Sequence, residues 1–367
     1  MGYVAVKGGT KAIEESIKML KYERVKNKKI LDVADIEGGM RCLTDQVMSE
    51  ASLYNKKLAA ISIKQAEGSP EEAVFLMRAY RSTLQRKHYS KTINTDYMKI
   101  ERRISASFKD ILGGQILGPC YDYTHRLIDF QLQNETLEEC LKWLYMFEEE
   151  KDLEQDKIDL NMLGRVSDYL RVKGLIKEMK INNEVPDDIT KKSISFPSSR
   201  SQRLQTLSRG QTGAITSLGY ASLRGFGSVH PTVGELRVGN IPIYIDNPFG
   251  EEKNDEDSYY IGEIRVTEVE TLIPKEKENN ETGKKELEFD IGYGLCLGQN
   301  ETKAIAMSIL DQCLETGDKS YATHNEEFVL LHVDSVEATG FISHLKLPHY
   351  VTFKSKMDSV VKSKNSN

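Results

Sequence analysis

The sequence predicts an α+β protein, a mainly helical N-terminal region followed by a mixed α/β, sheet-rich C-terminal region. Three observations predict it. Apolar residues recur at helical spacing between Cys42 and Leu84, β-type runs set in from Pro242, and a sharply charged segment at 134–180 separates the two textures. The organisation expected is a helical N-terminal region with a short first strand at 1–132, a charged helical segment at 133–185, and a mixed α/β region at 186–367.

Taken in order, Tyr3-Val-Ala-Val6 reads as a strand ended by Gly8-Gly9, and Thr10 then caps a helix to about Arg24. Cys42 to Gln65 carries Leu43, Val47, Leu58 and Ile61 at helical spacing, broken near Ser52 to Asn55. Ser69-Pro70-Glu71-Glu72 supplies a cap, a first-turn proline and two acids ahead of Val74, Met77, Tyr80 and Leu84. Through residue 110 the chain is expected to be mainly helical. The charged run EEEKDLEQDK at 148–157 reads as a solvated helical face. Strands are expected at Ile243–Ile245, Tyr260–Ile261, Ile264–Val266 and Leu287–Ile291, with the apolar-free KEKENNETGKK at 275–285 as a loop tip. A helix from Lys303 to Leu314 capped by Asn300, then a strand at Phe328–Val333, complete the reading.

With 367 residues, 39% hydrophobic and 29% charged, the chain is long enough for about two domains of roughly 150 residues and apolar enough to bury a core. No apolar run reaches the roughly 18 residues of a membrane helix, and MGYVAVKGGTK lacks the order of a signal peptide. A cytoplasmic protein is expected. Val6 stands where a myristoylation motif needs Ser or Thr. Cys42, Cys120, Cys140, Cys296 and Cys313 are scattered without a C-x-x-C pair, which fits reduced thiols. A net charge of -6 argues against a nucleic-acid binder, so any anion site must be local.

Residues 190–234 offer one. They contain no Asp or Glu but hold Lys191, Lys192, Arg200, Arg203, Arg209 and Arg224, interleaved with six glycines. Guanidinium forks bind phosphate oxygens bidentately, and glycines let backbone N–H groups approach them. A flexible basic loop or an RNA-contacting arm is the alternative. No Walker pattern occurs, which disfavours a P-loop ATPase. Paired arginines at Arg78-Ala-Tyr-Arg81 and Glu101-Arg-Arg-Ile104 either help neutralise an anion or pair with neighbouring acids. His344-Leu-Lys-Leu-Pro-His349 has a spacing that could bring two imidazoles to one ion, though two ligands make an incomplete site and structural histidines are the alternative. Asp122, His125 and Asp129 follow a Gly- and Pro-rich turn at 113–119.

At these residues the sequence resembles the PhnI family, core subunits of the bacterial carbon-phosphorus lyase system. The resemblance rests on YVAVKGG at 3–9, KQA at 64–66, LMRAYRSTL at 76–84, ERRIS at 101–105, and GGQILGP with YDYTHRLIDF within 113–130. It continues in SRSQRL at 199–204, HP and GE within 230–235, GYGL at 292–295, and NEEFVLLH and VEATGFISHLKLPHYV within 325–351. The charged stretches at 134–180 and 250–290 carry no part of it. The resemblance implies a ribosyl-transferring enzyme subunit of phosphonate catabolism. With partner subunits it displaces the adenine of ATP by methylphosphonate to give α-D-ribose 1-methylphosphonate 5-triphosphate, and alone it acts as a purine nucleosidase.

The implied partners are the other core subunits of that system, including a separate radical-SAM iron-sulfur subunit, with ATP, with or without Mg2+, and an alkylphosphonate as small molecules. The pair His344 and His349 resembles a zinc site at the subunit junction. On this reading Arg200, Arg203, Arg209 and Arg224 take the triphosphate. Asp122, His125, Asp129 or Glu235 serve the chemistry at the anomeric carbon, where oxocarbenium character develops and the purine must leave. A non-catalytic scaffold subunit and a two-histidine metallohydrolase are the competing readings.

Overall fold

A computed structural model describes residues 9–153, 164–176, 185–227, 230–250, 257–278, 285–347 and 349–365. The strand expected at 3–6 and the proline at 348 lie outside them. The chain divides into two compact units that interleave along the sequence: residues 1–87, 183–229 and 294–367 form a helical unit, and residues 88–182 and 230–293 a sheet unit. Helices fill the N-terminal stretch and the sheet belongs chiefly to the C-terminal half, as the α+β class requires.

The helical unit opens with α1 (Gly9–Val25), which buries none of its residues and begins one residue before the expected Thr10 cap. After α2 (Val33–Gly39), the chain forms α3 (Arg41–Ala51) and α4 (Lys56–Gln65), separated at the expected break. Ser52 adopts a left-handed φ of 51° that ends α3, and the Asn55 side chain accepts from Leu58 N at 2.9 Å to start α4. α5 (Pro70–Thr83) carries its proline in the first turn, with Ser69 Oγ accepting from Glu72 N. Ile36, Val47, Met48, Ala60, Val74 and Met77 meet in one core cluster. Each fully buried large side chain there contributes about 1.5–3 kcal/mol.

α8 (Arg200–Arg209) and α9 (Thr212–Ala221) belong to the same unit, as do α10 (Glu301–Thr316), α11 (Glu326–Leu331), α12 (Ser335–Ser343) and α13 (Tyr350–Asn365). α10 is buried almost throughout, and Gly219 of α9 is the close-approach point: a Cβ there would lie 2.8 Å from that of Ala306. The strand expected at Phe328–Val333 is a helix instead. Asn325 Oδ1 accepts from Phe328 N at 3.1 Å, and Glu326 and Glu327 occupy the first turn, so a complete helix start outweighs a short apolar run.

In the sheet unit, β1 (Lys99–Ile104), β2 (Thr232–Ile245), β3 (Tyr259–Glu278) and β4 (Lys285–Leu297) form a four-stranded sheet in the order β1-β2-β3-β4. The mainly helical stretch through residue 110 includes one strand, β1, which pairs antiparallel with β2, placing Arg103 opposite Arg237 and Ile104 opposite Leu236. β2 pairs antiparallel with β3, and the two short strands expected at 260–266 are one long strand. Gly239 lets β1 come close, since a Cβ would fall 2.2 Å from the Lys99 carbonyl oxygen. α6 (Leu137–Leu153) and α7 (Val166–Val172) are the helices of the charged segment. Leu170 and Ile176 pack with Leu272 and Phe289.

Candidate functional site

Along the chain the basic stretch contains no acid, but the fold supplies acids from outside it. Ser199 caps α8, its hydroxyl accepting from Gln202 N at 3.2 Å, which sets Arg200 and Arg203 one turn apart. Arg200 makes a bidentate contact with Asp311 of α10, at 3.1 Å from Nε and 2.6 Å from Nη2, and Asp311 is fully buried. Arg203 pairs with Glu315, one turn further along α10, and donates to the Ser198 carbonyl at 2.8 Å. Arg209 stands 3.9 Å from Asp334; burial, then the like charges of Arg78 and Arg81, push its guanidinium down to about 10.

Arg78 is the staple of this region. It forks onto Asp334 at 2.6 and 2.8 Å and donates to the Glu50 and Arg209 carbonyls, which lie at helix C-termini. Arg81 likewise donates to the Ala51 carbonyl at 2.8 Å. Arg224 stands apart from this arrangement: it is exposed, and its guanidinium carbon lies 6.0 Å from the ring centroid of Tyr220.

The four acid-base residues expected from the sequence all fall in the sheet unit, in different settings. Asp122 is half exposed and pairs with the buried Arg102 at 2.5 Å. His125 is exposed, and Asp129 caps a short 3-10 turn by accepting from Gln131 N at 3.0 Å. Glu235 is buried with both oxygens occupied, Oε1 by Arg103 Nε at 2.5 Å and Oε2 by Val166 N at 3.1 Å. Its carboxylate therefore joins β1, β2 and the start of α7.

Glu235 belongs to a larger charged lattice that sequence reading missed. Cross-strand register sets Glu235 opposite Glu270 and Arg237 opposite Glu268, all on one face of the sheet. Glu268 accepts from Thr95 Oγ1 at 2.7 Å, from Tyr293 OH at 2.9 Å and from both Nε and Nη2 of Arg237. Arg165 reaches Asp96 at 2.8 Å, Glu270 at 3.5 Å and Glu268 at 3.8 Å. Burial works against the Arg165 charge, but these three carboxylates outweigh it and hold the guanidinium above its ordinary range.

Two atoms of the lattice, Arg237 Nη1 and Glu270 Oε2, are buried without a hydrogen-bond partner. The signal available in sequence was the alternation Glu-Leu-Arg-Val at 235–238 facing Thr-Glu-Val-Glu-Thr at 267–271, which places charges where half-buried strands usually carry Thr or Val.

The two neighbouring acids of β3 diverge. Burial pushes the Glu270 carboxyl up, and the charge of Glu268 adds to it. Burial pushes Glu268 the same way, but Arg237 and Arg165 hold it below the usual carboxylate range. Neighbouring carboxyls pushed in opposite directions are the arrangement that separates acid from base roles. Because Glu270 binds its proton more tightly folded than unfolded, its contribution to stability is present below the unfolded value of about 4.3 and is lost as pH rises through the raised folded value. Glu268 has the opposite sign and loses its contribution as pH falls. Urea unfolding of Glu270→Gln and the parent between pH 4 and 8 is expected to show the difference moving in favour of the variant as pH rises; a flat difference contradicts the raised carboxyl.

His344 and His349 come together. Their ring centroids are 5.7 Å apart, and each ring turns Nδ1 to a backbone carbonyl, His344 to Phe341 and His349 to Leu347 at 2.5 Å. A carbonyl only accepts, so each Nδ1 carries a proton, and it is the neutral ring of this tautomer that would offer a metal its Nε2 lone pair. Among the described residues no group of three or more His, Cys, Asp or Glu is placed to hold a metal. Two imidazoles alone would make half of a tetrahedral zinc set.

Among the described residues no helix is long and apolar enough to cross a membrane. A family model described as bacterial phosphonate metabolism protein (PhnI) matches residues 2–367. The chain is 41% identical over 364 residues to the putative C-P lyase subunit protein HtxH of Stutzerimonas stutzeri, covering 98% of this chain and 95% of that one. It is 39% identical over 366 residues to the alpha-D-ribose 1-methylphosphonate 5-triphosphate synthase subunit PhnI of Rhizobium meliloti (strain 1021), covering 98% and 94% of the two chains. To the subunit of the same name from Escherichia coli (strain K12) it is 40% identical over 365 residues, covering 97% and 96%. Matched by the family from its second residue to its last, and related along nearly its whole length to three such subunits, the chain belongs to the PhnI family of bacterial phosphonate metabolism proteins.

Proposed function

We propose that this chain is the ribosyl-transferring subunit of a carbon-phosphorus lyase assembly, and that it displaces the adenine of ATP by methylphosphonate. The observation that carries the reading is the near full-length identity to two synthase subunits whose names state the product. A phosphonate oxygen attacks the anomeric carbon from the face opposite adenine, the glycosidic C–N bond breaks, and adenine leaves with a proton on nitrogen. Inversion converts the β-nucleotide into the α-ribosyl phosphonate with its 5-triphosphate intact. In the absence of partner subunits water takes the place of the phosphonate, giving nucleosidase activity.

Within this reading Arg200, Arg203, Arg209 and Arg224 contact the triphosphate, the first three moderated by Asp311, Glu315 and Asp334. Asp122, His125, Asp129 and Glu235 remain the proposed groups for the anomeric chemistry, Asp122, His125 and Asp129 lying in an exposed loop and Glu235 acting from within the buried lattice. His344 and His349 would hold a zinc ion at a subunit junction, and such an ion would supply Lewis-acid polarisation there. Partners include the radical-SAM iron-sulfur subunit and the other core subunits. Leu112, Leu127, Ile128 and Phe130 are each at least three-quarters exposed in the sheet unit, an apolar surface of the kind an assembly covers. Incubating the assembled subunits with ATP and methylphosphonate tests the proposal: free adenine is expected to appear in step with the ribosyl phosphonate, and adenine release without that product would assign the chain to hydrolysis alone.

A further inference from the structure

The turn after α9 holds its side chains outward on a fixed backbone. α9 runs into a wide π-type turn at 222–226 in which Gly225 has a φ of 107°, a value open to glycine and strained for other residues. The exit is clamped from a short 3-10 turn at 322–324. Thr323 Oγ1 donates to the Phe226 carbonyl at 2.5 Å, and His324 Nε2 donates to the Gly227 carbonyl at 2.8 Å. A Cβ on Gly227 would sit 2.8 Å from Thr323 Oγ1, so the clamp closes on bare backbone. Ser222 and Gly227 at the two ends are buried, whereas Leu223, Arg224 and Phe226 between them are exposed. Turns of this class concentrate at functional sites, and a fixed backbone lowers the ordering cost of binding.

The charge on this turn is set differently from those of α8. Arg200 has Asp311, Arg203 has Glu315 and Arg209 has Asp334 nearby, but among the described residues no carboxylate pairs with Arg224. Flanking it, Tyr220 and Phe226 are each 61% exposed. Aromatic faces stack a flat heteroaromatic base, and a guanidinium fork binds phosphate oxygens. An apolar partner surface would use the two rings and leave the cation without a counter-charge.

We propose that Tyr220, Arg224 and Phe226 form the nucleotide subsite of this chain, the rings taking a purine base and Arg224 a phosphate of the same nucleoside 5'-triphosphate. The proposal rests on the reading above that ATP is the ribosyl donor, and it relocates the principal anion contact from α8 to the turn. Equilibrium dialysis of the purified chain with ATP and, separately, with inorganic tripolyphosphate tests it. The Tyr220→Leu, Phe226→Leu double variant is expected to lose ATP affinity about tenfold or more while its affinity for tripolyphosphate stays within about twofold. Arg224→Gln is expected to weaken both ligands, and Tyr220→Phe, which keeps the ring, to retain both. Unchanged ATP affinity in the double variant overturns the subsite and leaves the donor reading standing, and so does a variant that loses only its co-elution with partner subunits. A parent chain that binds no ATP overturns both.

Discussion

Glu268→Ala is expected to cost the protein about 3–5 kcal/mol, the loss measured when one partner of a buried ion pair is removed. The carboxylate is the acceptor for Thr95 Oγ1, Tyr293 OH and two nitrogens of Arg237, and all of these groups stay buried or nearly so when it is gone. Arg237 already has Nη1 without a partner, so the variant would leave a whole guanidinium uncompensated beneath α7. Two companion variants separate charge from hydrogen bonding. Glu268→Gln keeps an acceptor for Thr95 and Tyr293 and should lose less, whereas the double change Glu268→Leu, Arg237→Leu removes both charges and should recover much of the loss. Urea unfolding monitored by circular dichroism decides; a Glu268→Ala variant within about 0.5 kcal/mol of the parent, the range of a neutral surface change, would mean that the lattice does not hold the sheet face.

The second large effect concerns metal. Replacing His344 and His349 together by alanine is expected to take zinc in the assembled complex from about one ion per chain to near none while leaving the thermal transition of the chain in place. His349 is exposed, His344 is half-buried, and neither lies in a core cluster, so truncation removes ligands without opening a large cavity. Neutral imidazole with its Nδ1–H committed to a carbonyl is preorganised to ligate through Nε2, which is why the pair is expected to bind zinc rather than to pack. Elemental analysis of parent and double variant measures this directly. Equal zinc in the two would place the ion elsewhere and return both histidines to a structural role.

Much of the helical unit was legible because its signals are local. Ser69 caps where the sequence says it should, Pro70 sits in a first turn, and the break near Ser52 to Asn55 falls between α3 and α4. The Phe328–Val333 run reads as a strand because a short run with five apolar residues fits either element, although Asn325 with Glu326 and Glu327 spells a helix start. Counter-charges were not legible. Asp311 and Glu315 lie more than a hundred residues from Arg200 and Arg203, and only the packing of α10 against α8 brings them together. The lattice on the sheet escaped for the same reason: alternating charges in a β-run look solvated until β1, α7 and Tyr293 are seen to bury them. The histidine pair was the reverse case, six residues of sequence that needed the fold only to show that both rings expose the same nitrogen.

The measurement that bears most directly on the ribosyl-transfer reading is the fate of isotope when methylphosphonate labelled with 18O is incubated with ATP and the assembled subunits. Displacement of adenine by a phosphonate oxygen predicts a product in which the oxygen bridging C1 and phosphorus carries the label, formed in equal amount with free adenine and with all three phosphates retained at C5. A ribose 5-triphosphate bearing water-derived oxygen at C1, with labelled methylphosphonate recovered unchanged, would contradict it.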